Sequence, residues 1–413
     1  MNFDNTEKGK LYKERVIRFM DEHIYPIEKD VEEFALTNPT ELHPQIEVLK
    51  EKAKAEGLWN LFMPLNYGEY SGGLTNVEYA PLAEEMGKVL WASEVFNCNA
   101  PDTGNMEVFA KYGSDEHKEK YLQPLLDGKI RSCFLMTEPD VASSDARNVQ
   151  TSIVRDGDDY VINGRKWWIT NILHPNCKVY IIMGKTDPEA STYHQQSMVI
   201  VPAGTPGVEI GRKLPTLHAY DNPGCHCEVR LNNVRVPAEN LILGEGRGFE
   251  IAQGRLGPGR IHHAMRLIGM CQRAFDYMCK RANERNAFGK QFSEMGAIRQ
   301  LVAKTYCDIQ KARQLTLLTA YTIDQQGVKG SKDLIATLKI SVIPLATKII
   351  DDAMQVFGGK GVSNDIPLAS MYAHARAMRF ADGPEEVHAH QLGRNLLKRA
   401  IDRKDIDIQY FHT

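Results

Sequence analysis

Three stretches of the 413-residue sequence carry side chains whose types and spacing could do chemistry. The first is Cys133–Gln150, CFLMTEPDVASSDARNVQ, where the apolar run Phe134-Leu135-Met136 meets a hydroxyl, Thr137, and a carboxylate, Glu138. A turn of small residues follows, Ala142, Ser143 and Ser144, whose amides and hydroxyls would suit a phosphate anion. Taken alone, the same residues are also an ordinary strand-to-loop transition with an Asx or Ser turn. The second stretch is WWITN, where Trp167 and Trp168 could be core aromatics of a strand. The third is MRFADGPEEVH, with Asp382-Gly383 ahead of Pro384. On its own, Asp382 reads as the N-cap of a helix with proline at its first position.

Two other stretches carry less. Cys225-His226-Cys227 is the one close cysteine pair, and no second cluster of suitable spacing follows it. It reads as reduced cysteines in an alternating strand rather than as a metal site. GEGRGFE has loosely nucleotide-like glycines, but no strand of a βαβ unit precedes it.

The elements that must position these residues fall into three parts, an α+β, mostly helical fold. Residues 1–130 are predicted to form a helical domain. Its helices include KLYKERVIRFMDEHIYPIEKDVEEFAL, broken near Pro26, and HPQIEVLKEKAKAEGLWNLF, closed by Gly57. Two more begin at Thr75 or Asn76 and at Ser114. Residues 131–240 are predicted to form a small β domain, with DDYVINGRKWWIT as a hairpin turning at Asn163-Gly164. Residues 241–413 return to long helical periodicity over 247–286, 295–326, 332–357 and 384–400, a helix bundle with faces suited to an oligomer interface.

Composition bounds the function classes. Hydrophobic content of 43%, charged content of 25% and a net charge of −3 describe a globular protein. No basic block points to nucleic acid or anionic lipid. No apolar run reaches the roughly 20 residues of a membrane span, and neither chain end reads as a targeting signal. With eight scattered cysteines, the expectation is a reducing, cytoplasmic setting.

The order of the motifs says more than any one of them. A Met-Thr-Glu-Pro strand end, then WWITN, then ERNAFGK and QVFGGKG resemble the acyl-CoA dehydrogenase family over essentially the whole chain. The resemblance implies FAD, with the stretch from Phe134 to Ser143 along the pyrimidine edge of the flavin. Groups at Met136 and Thr137 would bond the ring near N1 and O2, Trp168 would cover one face, and Thr170 would reach N5. Ser143 and Ser144 would lie by the pyrophosphate and the substrate, and Glu386 by the cofactor. Arg285 and Phe288 of ERNAFGK, with Gln355 and Gly359 of QVFGG, would hold the adenosine end of an adjoining subunit's FAD. A homodimer or homotetramer follows, with an acyl-CoA substrate, an electron-transfer flavoprotein as partner and a place in fatty acid metabolism.

The chain departs from the family at the base. The usual Glu-Gly is Asp382-Gly383 here, and the alternative position on the helix near GRLGPGR is Gly259, followed by Arg260. By this resemblance Asp382 is the base, supported by Arg260, and an amide near Gly383 would bind the thioester carbonyl. Exclusion of water is expected to raise the Asp382 pKa toward working pH. Aspartate is shorter than glutamate by one methylene, so its loop must come roughly 1–1.5 Å closer. Two other functions stay open: a flavin oxidase of the same fold, acyl-CoA or nitroalkane oxidase-like, and a scaffold that kept the fold without the chemistry.

Overall fold

The computed structural model describes residues 6–402. The chain ends, where the expectations about targeting fall, lie outside the described residues.

Thr6 caps α1 (Glu7–Phe19) by accepting from the Gly9 amide. The helix then passes through a π turn and a 3-10 turn at Tyr25–Ile27 into α2 (Glu28–Thr37), the break falling at Pro26, which has no N–H to give. After α3 (Pro44–Ala55), Gly57 takes φ +61° and turns the chain. α4 (Asn76–Met86) starts in a capping box between Thr75 and Glu78, and α7 (Asp115–His117) starts on Ser114. Between them lie α5 (Ala92–Val95) and α6 (Asp102–Tyr112), and α8 (Gln123–Leu126) closes this part.

Seven strands follow: β1 (Arg131–Leu135), β2 (Ser152–Asp156), β3 (Asp159–Thr170), β4 (Cys177–Lys185), β5 (Gln196–Pro202), β6 (Val208–Lys213) and β7 (His226–Pro237). Their order is β1-β4-β2-β3-β7-β6, with β5 also on β4. β4 is buried on both faces: Val179, Ile181 and Met183 join the helical core, while Tyr180 and Ile182 join a second core within the β part.

One expectation fails here. Asn163-Gly164 is not a hairpin turn but the middle of β3; the turn is at Gly157, φ +64°, between β2 and β3. Gly164 is glycine for a different reason: a Cβ there would lie 2.3 Å from the Thr151 hydroxyl. The β3–β7 register also slips between Ile162 and Gly164, as at a bulge.

The bundle is α9 (Gly248–Glu284), the two-residue strands β8 (Asn286–Ala287) and β9 (Lys290–Gln291), then α10 (Gly296–Gly330), α11 (Lys332–Phe357), α12 (Leu368–Met378) and α13 (Glu385–Asp402). The four long helices lie where periodicity placed them, and α12 is an addition. Pro258 and Pro344 sit inside α9 and α11 without ending them. Among the described residues no helix is long and apolar enough to cross a membrane.

A buried polar network seats the β part on the N-terminal helices. Arg131 pairs with Glu94, and Asp102 accepts from the Ser132 amide at 2.7 Å and from Asn171 at 3.3 Å. Lys50 meets Glu94 from the other side at 2.6 Å. With charges this deeply buried, removing one partner would be costly, so the network fixes where β1 begins.

Candidate active site

The end of β1 is held from beneath. Lys166, fully buried on β3, donates to the carbonyls of Met136 (3.0 Å) and Met183 (2.7 Å) and to Glu138 (2.8 Å). Burial pushes its pKa down to about 8 against the pull of Glu138. Glu138 also accepts from the amides of Gln150 and Thr151, and so ties the far end of the small-residue turn. The hydroxyls expected to meet a ligand are already at work in the chain. Thr137 donates to Trp167 O at 2.6 Å, and Ser143 accepts from the Glu138 amide at 2.8 Å while donating to its carbonyl at 3.1 Å. Both still have lone pairs to offer, but they build the turn first.

The register of β3 slips between Lys166 and Ile169, and Trp168 takes φ +53° at that point. The result is an indole that is 42% exposed and tilted 5.6 Å from His226. The core-aromatic reading is excluded for Trp168. Thr170, two residues on, bonds His226 Nδ1 through its hydroxyl at 3.0 Å. Phe134 lies under the Arg255 guanidinium, 4.0 Å from ring centroid to carbon.

Asp382 comes to the same region from the bundle. It is not an N-cap: it takes φ +55°, outside the extended range of a cap, and α13 begins only at Glu385. Its carboxylate faces α9, where Oδ2 lies 3.5 Å from His263 Nε2. A Cβ on Gly259 would lie 2.6 Å from the same oxygen. The backbone of its loop is held by cations and a histidine: Arg260 donates to Asp382 O at 3.0 Å, His388 faces that oxygen at 3.4 Å, and Lys339 donates to Met378 O and Ala381 O at 2.9 and 2.6 Å. Arg260 is thus hydrogen-bonded to the loop that carries Asp382.

Two expectations at this loop are corrected. Burial does act to raise the Asp382 pKa, but His263, Arg255 and Arg260 outweigh it, and the carboxyl is held well below the usual range. Burial lowers the His263 pKa too, so the two arginines supply the lasting positive charge. The Gly383 amide, expected to be open to a substrate carbonyl, already donates to Phe380 O at 3.2 Å. Of the neighbouring carboxylates, Glu385 pairs with Arg379, and Glu386, expected near the cofactor, points outward and exposed.

His374 on α12 joins the two halves. Burial takes its pKa down to about 4, and it feels Asp221 and His226 from the β side and His263 and Arg266 from α9. His374 thus lies between His263, the neighbour of Asp382, and His226, the partner of Thr170.

The second expected group assembles elsewhere. Arg285 donates to Val356 O and Phe357 O at 3.3 and 3.4 Å, beside Gly358 and over the Phe292 ring. Phe288, in the β8–β9 turn, is 99% exposed, and Gln355 and Gly359 are exposed as well. The four thus form an outward-facing group at one end of the bundle.

Models of the N-terminal, middle and C-terminal domains of acyl-CoA dehydrogenase match residues 6–129, 133–234 and 246–397. The chain belongs to the acyl-CoA dehydrogenase family. It is 49% identical over 403 residues to the probable acyl-CoA dehydrogenase FadE2 of Mycobacterium tuberculosis, covering 97% of this chain and 98% of that one. It is 52% identical over 393 residues to mouse acyl-CoA dehydrogenase family member 10, covering 94% of this chain but 37% of that protein. The chain thus spans half or less of the length of several curated relatives it matches, human family member 11 among them at 50%. A solved Mycobacterium abscessus structure of the same class superposes with a TM-score of 0.92 at 48% identity, over 96% and 99% of the two chains.

Several working residues escaped the sequence reading: His226, Arg255, His263, Lys339 and His388. One signal was available. Arg255, Gly259 and His263 follow at spacings of four, which places them on one helix face.

Proposed function

We propose that this chain is an FAD-dependent dehydrogenase that desaturates an acyl-CoA thioester to the trans-2-enoyl-CoA and passes the electrons to an electron-transfer flavoprotein. The observation that carries the reading is the Asp382 carboxylate beside His263 on α9, linked through His374 to His226, which bonds the Thr170 hydroxyl next to the exposed Trp168 indole. The residues present suit FAD: an open indole face, a strand end whose carbonyls are engaged from within, and a turn of small residues at Ala142–Ser144. FAD, when bound, supplies the acceptor for the substrate's β-hydride.

Asp382 takes the α-proton. Its depressed pKa keeps it in the accepting form at any working pH, at a cost in basicity. Substrate entry recovers basicity by excluding water and loosening the His263 contact. Arg260, Lys339 and His388 keep the loop in place, so the shorter aspartate need not search for its target. Trp168 would cover the flavin ring, and Thr170 would offer its hydroxyl on the N5 side. Arg285, Phe288, Gln355 and Gly359 serve a second copy's cofactor. The outward-facing group of Arg285, Phe288, Gln355 and Gly359 supports a homodimer or homotetramer in which each copy completes the other's site.

Anaerobic addition of acyl-CoAs of graded chain length to the yellow holoprotein tests this. Bleaching of the flavin's visible band is expected for one class of chain length. A colourless protein that takes up no FAD would overturn the reading. The oxidase alternative shares the aspartate base, and rapid recolouring with peroxide on admitting air would favour it.

A further inference from the structure

Cys225-His226-Cys227 is the motif that neither the fold nor the proposed reaction has used. Its three side chains part company. Cys225 and Cys227 turn into the β core, Cys225 Sγ reaching Pro39 O at 3.2 Å. His226 turns the other way, toward Trp168 and Thr170.

We propose that His226 is a positioning residue that aims the Thr170 hydroxyl at the flavin N5. The inference rests on the flavin reading above. His226 and Thr170 are paired across β7 and β3, and their hydrogen bond of 3.0 Å is made by Nδ1. The other ring nitrogen lies 3.8 Å from Asp221, and the imidazole is 18% exposed, held between that carboxylate and the Trp168 ring.

A threonine hydroxyl has one hydrogen to place. If Nδ1 carries a proton, Oγ1 accepts from it and sends its own hydrogen outward. If Nδ1 is bare, the hydroxyl hydrogen turns back to it and Oγ1 offers a lone pair outward. N5 accepts a hydrogen bond before hydride arrives and donates one afterwards, so the group facing it must be able to reverse. Imidazole allows both directions, because either of its nitrogens can carry the proton. An aliphatic residue at 226 would leave the hydroxyl a free rotor.

The test uses FAD-loaded wild type, His226→Leu, His226→Asn, Thr170→Val and the Leu/Val double variant. The readouts are the flavin absorption bands, the reduction potential, and the rate of reduction by acyl-CoA. Thr170→Val should shift bands and potential. His226→Leu should shift them in the same sense and slow reduction by about fivefold, the scale of one neutral hydrogen bond. In the Thr170→Val background, His226→Leu should add nothing. His226→Asn sets an amide near the Nδ1 position and should restore most of the wild-type bands; if the Leu variant fails to load flavin, the Asn variant compared with and without Thr170→Val gives the same test. Thr170→Val without effect would sink the N5 reading itself. An effect of Thr170→Val alone, or full effects of His226→Leu in the Val background, would overturn the role of His226.

Discussion

Replacing Gly259 by alanine should separate stability from catalysis. The Cβ it adds would meet Asp382 Oδ2 at 2.6 Å, whereas tight real contacts reach 3.0–3.4 Å, so the carboxylate must retreat by 0.4–0.8 Å. The Asp382 backbone cannot easily follow, because Arg260, Lys339 and His388 hold the loop. A misplacement of 1 Å can cost about a hundredfold in rate, so reduction of the flavin by acyl-CoA should slow roughly ten- to a hundredfold. The thermal midpoint should hold or rise, since alanine in a helix interior is worth up to about 1 kcal/mol over glycine. Stopped-flow reduction and calorimetry on the same preparation read both quantities, with bound FAD per subunit as the control. A reduction rate within twofold of wild type would mean that the position of Asp382 against α9 does not matter, and the geometry argued for the base would fail. A double variant, Gly259→Glu with Asp382→Gly, should recover part of the rate lost in Asp382→Gly alone, because a side chain from 259 points at the space Asp382 now fills.

Two further outcomes follow from buried charges. Burial raises the Glu107 pKa to about 8 from 4.5, so the folded state binds a proton that the unfolded chain has released. That group therefore destabilises the protein as pH rises from 4.5 through 8, by about 3 kcal/mol at pH 7 and about 5 above pH 8, from 3.5 units at 1.36 kcal/mol each. Glu107→Gln should match wild type in thermal midpoint at pH 5 and exceed it progressively toward pH 9; a constant offset would refute the assignment. Lys339→Met should leave the carbonyls of Met378 and Ala381 without donors, at about 1–3 kcal/mol each. A lower midpoint and slower flavin reduction with unchanged FAD content are expected, and an unaltered rate would show that Lys339 does not position the loop.

The order of the parts was legible because long amphipathic helices and alternating strands announce their own period. α9, α10, α11 and α13 needed nothing else. The Asn163-Gly164 turn was misread because the pair's local preference was outweighed by pairing with β2 on one side and β7 on the other, and by the nearness of Thr151. α12 is short and follows a glycine-rich stretch, which hid its period. At the site, motif order singles out Asp382 as the candidate base, but it does not give the direction in which its neighbours shift it. Sequence shows that a carboxylate enters a bundle, while the opposing effect of Arg255, Arg260 and His263 depends on which helix face meets it. Likewise Thr137 and Ser143 were placed correctly in a turn, but what they bond is set by Lys166 and Glu138 beneath.

The most direct measurement is the rate at which substrate bleaches the flavin in Asp382→Asn. Asparagine is nearly isosteric, so the loop and FAD binding should survive. With no acceptor for the α-proton, anaerobic reduction by a good acyl-CoA should fall by several orders of magnitude, while the acyl-CoA still perturbs the flavin spectrum on binding. A fully loaded Asp382→Asn protein that bleaches at close to the wild-type rate would contradict the assignment of Asp382 as the base.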